Sequence, residues 1–234
     1  MLVLLLLTAC AHRTPARAET GDTSGTGDTS QDASDTGGPL GAPCGPWAGV
    51  ARVGTQWTYV PTDAYVAAYE MDGSYTTTVT TIEGALVTLE QEGAYSGASG
   101  AFTWARRDTW RCDTDGAWWI RSEAETHATS GDSIMNTTGS RVFEPGWLVR
   151  PAVLEAWSDA FTVTQIVNDT APVVTAAECT TQVSAASPAT VEGRAVTTRY
   201  VEPTCTGVNG EAQWLGEHVG LVETGRERLL GFLP

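Results

Sequence analysis

Residues 75–91 read YTTTVTTIEGALVTLEQ, and this stretch decides the fold class. In an extended chain Thr76, Thr78 and Thr80 share one face, and Tyr75 and Val79, with Thr77 between them, share the other. Glu83-Gly84 then separates this run from a second one, as a hairpin turn does. Outward from this hairpin the same grammar continues: short runs rich in Thr, Val, Tyr and Trp, broken by Gly, Asp and Pro. Towards the N-terminus lies Thr55–Val60. Onward come Ala101–Arg111 and Ala117–Ala124, with Thr114-Asp115-Gly116 as a turn, then Ala160–Val167 and Val173–Val183. Thr190–Val201, Glu211–Leu215, Gly220–Glu223 and Glu227–Gly231 complete the candidates. Helical periodicity is nearly absent, and the one helix expected is a short one around Pro151–Trp157. The chain therefore reads as mainly β and antiparallel.

The N-terminal segment has a different character. Leu2 to Leu7 is an unbroken apolar run followed by Thr8, Ala9 and Cys10. It is far shorter than the roughly 20 residues a membrane span needs, and it suits the apolar middle of a secretory signal. Leu7-Thr8-Ala9-Cys10 resembles the lipobox of bacterial lipoproteins. That resemblance implies cleavage before Cys10 and lipid on its thiol, giving residues 1–9 as signal peptide and a membrane as partner. Several acyl chains make a stable anchor where one does not. Only Met1 precedes the run, although signals open with basic residues, so the true start is expected upstream. Ala11 stands where the inner-membrane retention signal has Asp, which points to the outer membrane.

Residues 10–43 form the expected linker. Gly21 to Gly38 reads GDTSGTGDTSQDASDTGG, with nothing apolar enough to offset the entropy of ordering it. Asp22, Asp28, Asp32 and Asp35 repel one another along it. Calcium is the alternative use of such a run, but neither an EF-hand loop nor a nonapeptide calcium repeat is present. Residues 44–234 remain as a single β domain. The chain carries a net charge of -15; five of its 28 acids and two of its 13 basic residues lie in the linker, leaving -12 on the rest. Such a surface disfavours nucleic acid and anionic bilayers.

Four cysteines remain after Cys10. An even number in an exported domain points to disulfides, with three pairings open in principle. Cys179–Cys205 is favoured because the two lie at the outer ends of Val173–Val183 and Thr190–Val201, joined by a turn around Ser187-Pro188. Cys44–Cys112 then staples the end of the linker to the sheet. A zinc site is the rival, but there is no Cys-x-x-Cys and the histidines are unsuitably spaced.

Three segments carry a family resemblance. Gly54-Thr55-Gln56-Trp57-Thr58-Tyr59 opens the domain. Val149-Arg150-Pro151-Ala152-Val153-Leu154 leads to Trp157 and the strand Phe161-Thr162-Val163-Thr164. Gln213-Trp214-Leu215-Gly216-Glu217-His218-Val219-Gly220-Leu221-Val222-Glu223 precedes Leu229-Leu230-Gly231-Phe232. Together they resemble uncharacterised bacterial envelope lipoproteins similar in fold to the LolA/LolB lipoprotein carriers. Leu215 replaces the usual aromatic, Glu223 stands where Lys is common, and the Gly usual before Trp157 is missing. The resemblance implies a curved antiparallel sheet forming an incomplete barrel, whose hollow side holds acyl chains in the carriers.

Chemistry-bearing motifs are sparse. Gly131-Asp132-Ser133 resembles the nucleophile block of one esterase class, but the Asp-x-x-His run those enzymes need is missing, as is a Gly-x-Ser-x-Gly elbow. Glu123, Glu125 and His127 share one face of an extended strand and could bind a metal or exchange protons; the alternative is a wet sheet face with Ser122, Ala124 and Thr126 turned inward. His218 falls in a Gly-rich turn and His12 in the linker. Nine Trp residues suit either core packing or an aromatic-lined pocket. For the pocket the candidates are Trp57, Trp104, Trp110, Trp118 and Trp214; adjacent Trp118 and Trp119 must face opposite ways. The expectation is a lipid-anchored, non-catalytic module with no cofactor, binding a lipid or acyl chain. The alternative is an interaction lipoprotein that docks an envelope protein through a filled domain.

Overall fold

The computed structural model describes residues 44–49, 52–98 and 100–233, all within one unit, Pro39–Pro234. The signal, Cys10 and linker assignments lie outside the described residues.

The domain is mainly β. Its elements are β1 (Gln56–Pro61), α1 (Asp63–Tyr69), β2 (Met71–Glu83), β3 (Leu86–Gly97), β4 (Gly100–Asp113), β5 (Gly116–Ser130) and β6 (Ser133–Pro151). Then come β7 (Trp157–Val167), β8 (Val173–Val183), β9 (Ser187–Val191), β10 (Arg194–Thr206), β11 (Gln213–Gly216), β12 (Gly220–Thr224) and β13 (Glu227–Leu233). Each of β1 to β7 pairs antiparallel with the next, β8 pairs with β10, and β13 returns to β1. The expected incomplete barrel is corrected here: β10 pairs with β11 as well as β8, so the ring of twelve strands closes. Closure removes the free edges that an open sheet exposes. Only β9 stands outside the ring, extending the lane of β8 along β10.

The hairpin of residues 75–91 forms as expected, and Tyr75, Thr77 and Val79 are buried while Thr76, Thr78 and Thr80 are not. Several other expectations are corrected. The turn between the cysteine-bearing strands is at Glu192-Gly193, where both residues have positive φ, as a two-residue hairpin requires; Ser187-Pro188 begins β9. Cys179 and Cys205 still face each other across β8 and β10, and both disulfides, Cys179–Cys205 and Cys44–Cys112, form as expected. No helix forms around Pro151–Trp157, because Pro151 ends β6 and Trp157 begins β7. The helix is instead α1, where Thr62 Oγ1 caps the Tyr65 amide. The longest strand, β6, escaped the sequence pattern. Pro145 and Gly146 interrupt it, and Pro145 sits where β6 slips register against β5 and has passed its last pair with β7, a position that tolerates a missing N–H.

A barrel of this size lies between the eight-stranded kind that side chains fill and the wide kind that keeps a channel. Here one end is closed by the chain itself. Residues 44–49 enter it, with Cys44 tied to Cys112 and Trp47 and Ala48 buried. The His218 amide donates to the Pro46 carbonyl at 2.7 Å, and Arg150 Nη1 donates to the Ala48 carbonyl at 2.9 Å. Gly49 has φ +71° and runs so close to Val219 that a Cβ would meet its carbonyl, so only glycine fits. Above them the β9–β10 tip reaches across to β13, where Glu192 Oε2 accepts from the Phe232 amide at 2.8 Å. Trp57, Tyr59, Val79, Val87, Leu89 and Trp110 pack beneath this plug.

Candidate functional site

The opposite end is built differently. There β2 to β6 outrun their neighbours: β1 pairs with β2 no further than Tyr75, and β7 ends opposite Gly139. Because side chains alternate, the inward residues of these long strands fall into cross-strand rows.

The row at the rim is Gly73, Tyr95, Phe102, Ala128 and Met135, each directly opposite the next. All are only partly buried, and the Tyr95 and Phe102 rings stack at 5.1 Å. One row deeper are Tyr75, Gly93, Trp104, Thr126 and Thr137. The Trp104 ring lies over Gly93, whose Cβ would come within 2.6 Å of Trp104 Nε1, and reaches Tyr75 at 5.2 Å. Tyr75 Oη donates to Glu227 Oε1 at 2.6 Å. Burial holds the Tyr75 hydroxyl well above its ordinary range, helped by the Glu227 charge, and burial likewise raises the Glu227 carboxyl.

Below that the interior turns polar. Thr77, Gln91, Arg106, Ala124 and Gly139 make the third row; Val79, Leu89, Asp108, Ser122, Arg141 and Gln165 make the fourth. Asp108 is 1% exposed, which demands full pairing. It has it: Arg106 donates from Nε to Oδ1 and from Nη2 to Oδ2, both at 2.8 Å, and Trp119 Nε1 donates to Oδ1 at 3.2 Å. Arg106 also donates to Ser122 Oγ at 3.1 Å and lies 4.6 Å over the Trp119 ring, a favourable cation–π geometry. Trp119 packs on Phe143 and Trp147 in turn.

The five tryptophans named as pocket candidates do not converge. Trp57 and Trp110 are buried in the core under the plug, and Trp57 Nε1 donates to the Val219 carbonyl at 2.7 Å. Trp118 faces away from Trp119, with Arg111 over its ring, and Trp214 pairs with Tyr200. Trp104 alone of the five stands near the rim. Inward parity distributes Trp57, Trp104 and Trp110 along the barrel rather than gathering them, and Trp118 lies on the opposite face of its strand from Trp119.

Glu123, Glu125 and His127 do share the outer face, opposite Arg107, Ala105 and Thr103 of β4. Glu123 pairs with Arg121 at 2.6 Å and His127 Nδ1 lies 2.5 Å from Asn136 Oδ1. Among the described residues no group of three or more His, Cys, Asp or Glu is placed to hold a metal ion. Two open depressions, of about 460 and 680 Å³, share Glu92, Ala105, Glu125 and Thr138; the larger is lined also by the inward row Tyr75, Gly93, Trp104, Thr126 and Thr137, and the smaller by Gln91, Arg106, Ala124 and Gly139. Gly131-Asp132 is the two-residue turn between β5 and β6, which accounts for the esterase-like block. His218 is an exposed turn residue.

The polar rows were not legible in the sequence. Arg106 and Asp108 share the parity of Trp104, Trp110 and Cys112 along one strand, which was a usable signal that both charges point inward. Arg141 lies in β6, the unread strand. No family model, curated protein or solved structure matches this chain.

Proposed function

We propose that this protein is a lipid-anchored, non-catalytic envelope module that holds a hydrophobic ligand, a lipid or acyl chain, at the unplugged mouth of its barrel. The observation that carries this is the rim row: Tyr95, Phe102, Ala128 and Met135 point inward yet remain partly exposed. Apolar side chains on a concave face, with a few polar groups beneath, are the usual lining of a ligand site. The resemblance to acyl-binding carriers agrees in chemistry, although the barrel here is closed.

The test is native mass spectrometry of the lipidated full-length protein purified from an envelope extract. A stoichiometric added mass, lost on organic extraction and absent from Phe102→Ser, is expected. An unliganded mass in both proteins would overturn the proposal. A second reading, docking of an envelope protein, is favoured by the packed core beneath the polar rows. Capture of a partner that survives Phe102→Ser but not Glu92→Ala with Glu125→Ala would select it.

A further inference from the structure

One guanidinium inside the barrel has no counter-charge of its own. Arg141 projects inward from β6, directly opposite Ser122 of β5 and Gln165 of β7. It is half-buried, and among the described residues it makes no hydrogen bond or ion pair. The carboxylate of its row, Asp108, is already saturated by Arg106 and Trp119. Glu227, on the far wall, is held by Tyr75. Two positive charges therefore face one negative charge across this tier, and burial together with Arg106 pushes the Arg141 pKa down against the pull of Asp108. An anion entering this half-buried tier would neutralise the excess positive charge.

There is also room beside it. A Cβ at Gly139, the next inward position of β6, would meet only the Ile166 carbonyl, at 3.7 Å. From Arg141 to the rim the β5–β6 wall presents Ala124, Gly139, Thr126, Thr137 and Ala128 before Met135. None is larger than threonine. That wall is about 20 Å long at the rise of an extended strand, polar at its inner end and apolar at its outer end.

We infer that Arg141 receives the carboxylate head of a single-chain fatty acid, whose tail runs along β5 and β6 to Phe102 and Met135. A planar guanidinium with its donors free suits a carboxylate's two oxygens, while Ser122 and Gln165 flank it as neutral hydrogen-bonding groups. This inference rests on the proposed function: the rim supplies apolar contact, and Arg141 adds selection by charge.

The full-length protein should be titrated with palmitate and, separately, with methyl palmitate, which has the same chain without the charge. Wild type is expected to bind both, palmitate more tightly. Arg141→Met should weaken palmitate about 10- to 100-fold, the scale of a lost charge-assisted pair, and leave the ester unchanged. Its melting temperature without ligand should hold or rise, since an unpaired charge is removed. Gly139→Val, which fills the space beside Arg141 while leaving the charge in place, should weaken both ligands and covers the case of a poorly folded Arg141→Met. Equal affinity of both ligands for wild type and Arg141→Met would overturn the role of Arg141 and leave the mouth as a lipid site. Binding of neither ligand would overturn the proposed function as well.

Discussion

The two ends of this barrel are made from the same kind of strand and are opposite in character. At the plugged end every large ring is covered, the backbone of residues 44–49 is hydrogen-bonded into place, and a disulfide fixes it. At the mouth the same inward parity leaves Tyr95, Phe102 and Met135 partly uncovered. The difference comes from strand length and from what lies across the barrel. Inward apolar residues are buried only where an opposing wall or a plug meets them; β2 to β6 outrun their opposing wall. Stability is therefore expected to reside at one end and ligand contact at the other.

That division can be broken by mutation. The largest effect is expected from removing the plug staple: Cys44→Ser with Cys112→Ser should cost about 4 kcal/mol by loop entropy, measured by urea unfolding. Loss of the Cys179–Cys205 bridge, which closes a shorter loop, should cost slightly less. Equal indifference to both would show that the plug contributes little. Trp57→Phe keeps the ring but leaves the buried Val219 carbonyl without its donor, for about 1–3 kcal/mol. At the mouth, Phe102→Ala should cost only about 1 kcal/mol, because its ring is partly exposed already, yet abolish ligand retention. A stability loss at Phe102 as large as at Trp57 would mean the mouth is part of the core.

A pH effect of opposite sign sharpens the comparison within the filled half. Burial raises the Asp159 carboxyl to about 6, against the Leu148 amide that bonds it and pulls it down, and among the described residues its buried Oδ1 has no partner. A carboxyl raised on folding stabilises below its unfolded pKa, and that contribution is lost as pH climbs from about 4 towards 6. Asp159→Asn should flatten this fall and gain about 1 kcal/mol at pH 7, after discounting for partial solvent screening. Melting curves of both proteins across that range test the sign. The smallest effect is expected on the outer face, where Glu123→Ala, Glu125→Ala and His127→Ala should each stay within about 0.5 kcal/mol.

The strands around residues 75–91 were legible because each has period-two alternation and a glycine or aspartate turn beside it. β6 was not, since Pro145 and Gly146 break the pattern at the position where the structure releases pairing. α1 was missed because its helical run is only one residue longer than six and buries no residue, so its apolar positions leave no stripe to detect. At the site, Trp104 was singled out, but as one of five rings treated alike. What distinguishes it from Trp57 is distance along the barrel, which alternation within a single strand does not record.

By itself the sequence determined the mainly-β antiparallel class and the shared inward face of Tyr75, Thr77 and Val79. These depend on local alternation and on turns a few residues away. Only the tertiary structure decided that the ring closes, that residues 44–49 plug one end, and that Arg141 is left without a carboxylate while Arg106 takes both oxygens of Asp108. Closure depends on twist and stagger accumulated over twelve strands, and the isolation of one charge depends on which side chains from several strands reach it first. Neither is a property of any one stretch of chain.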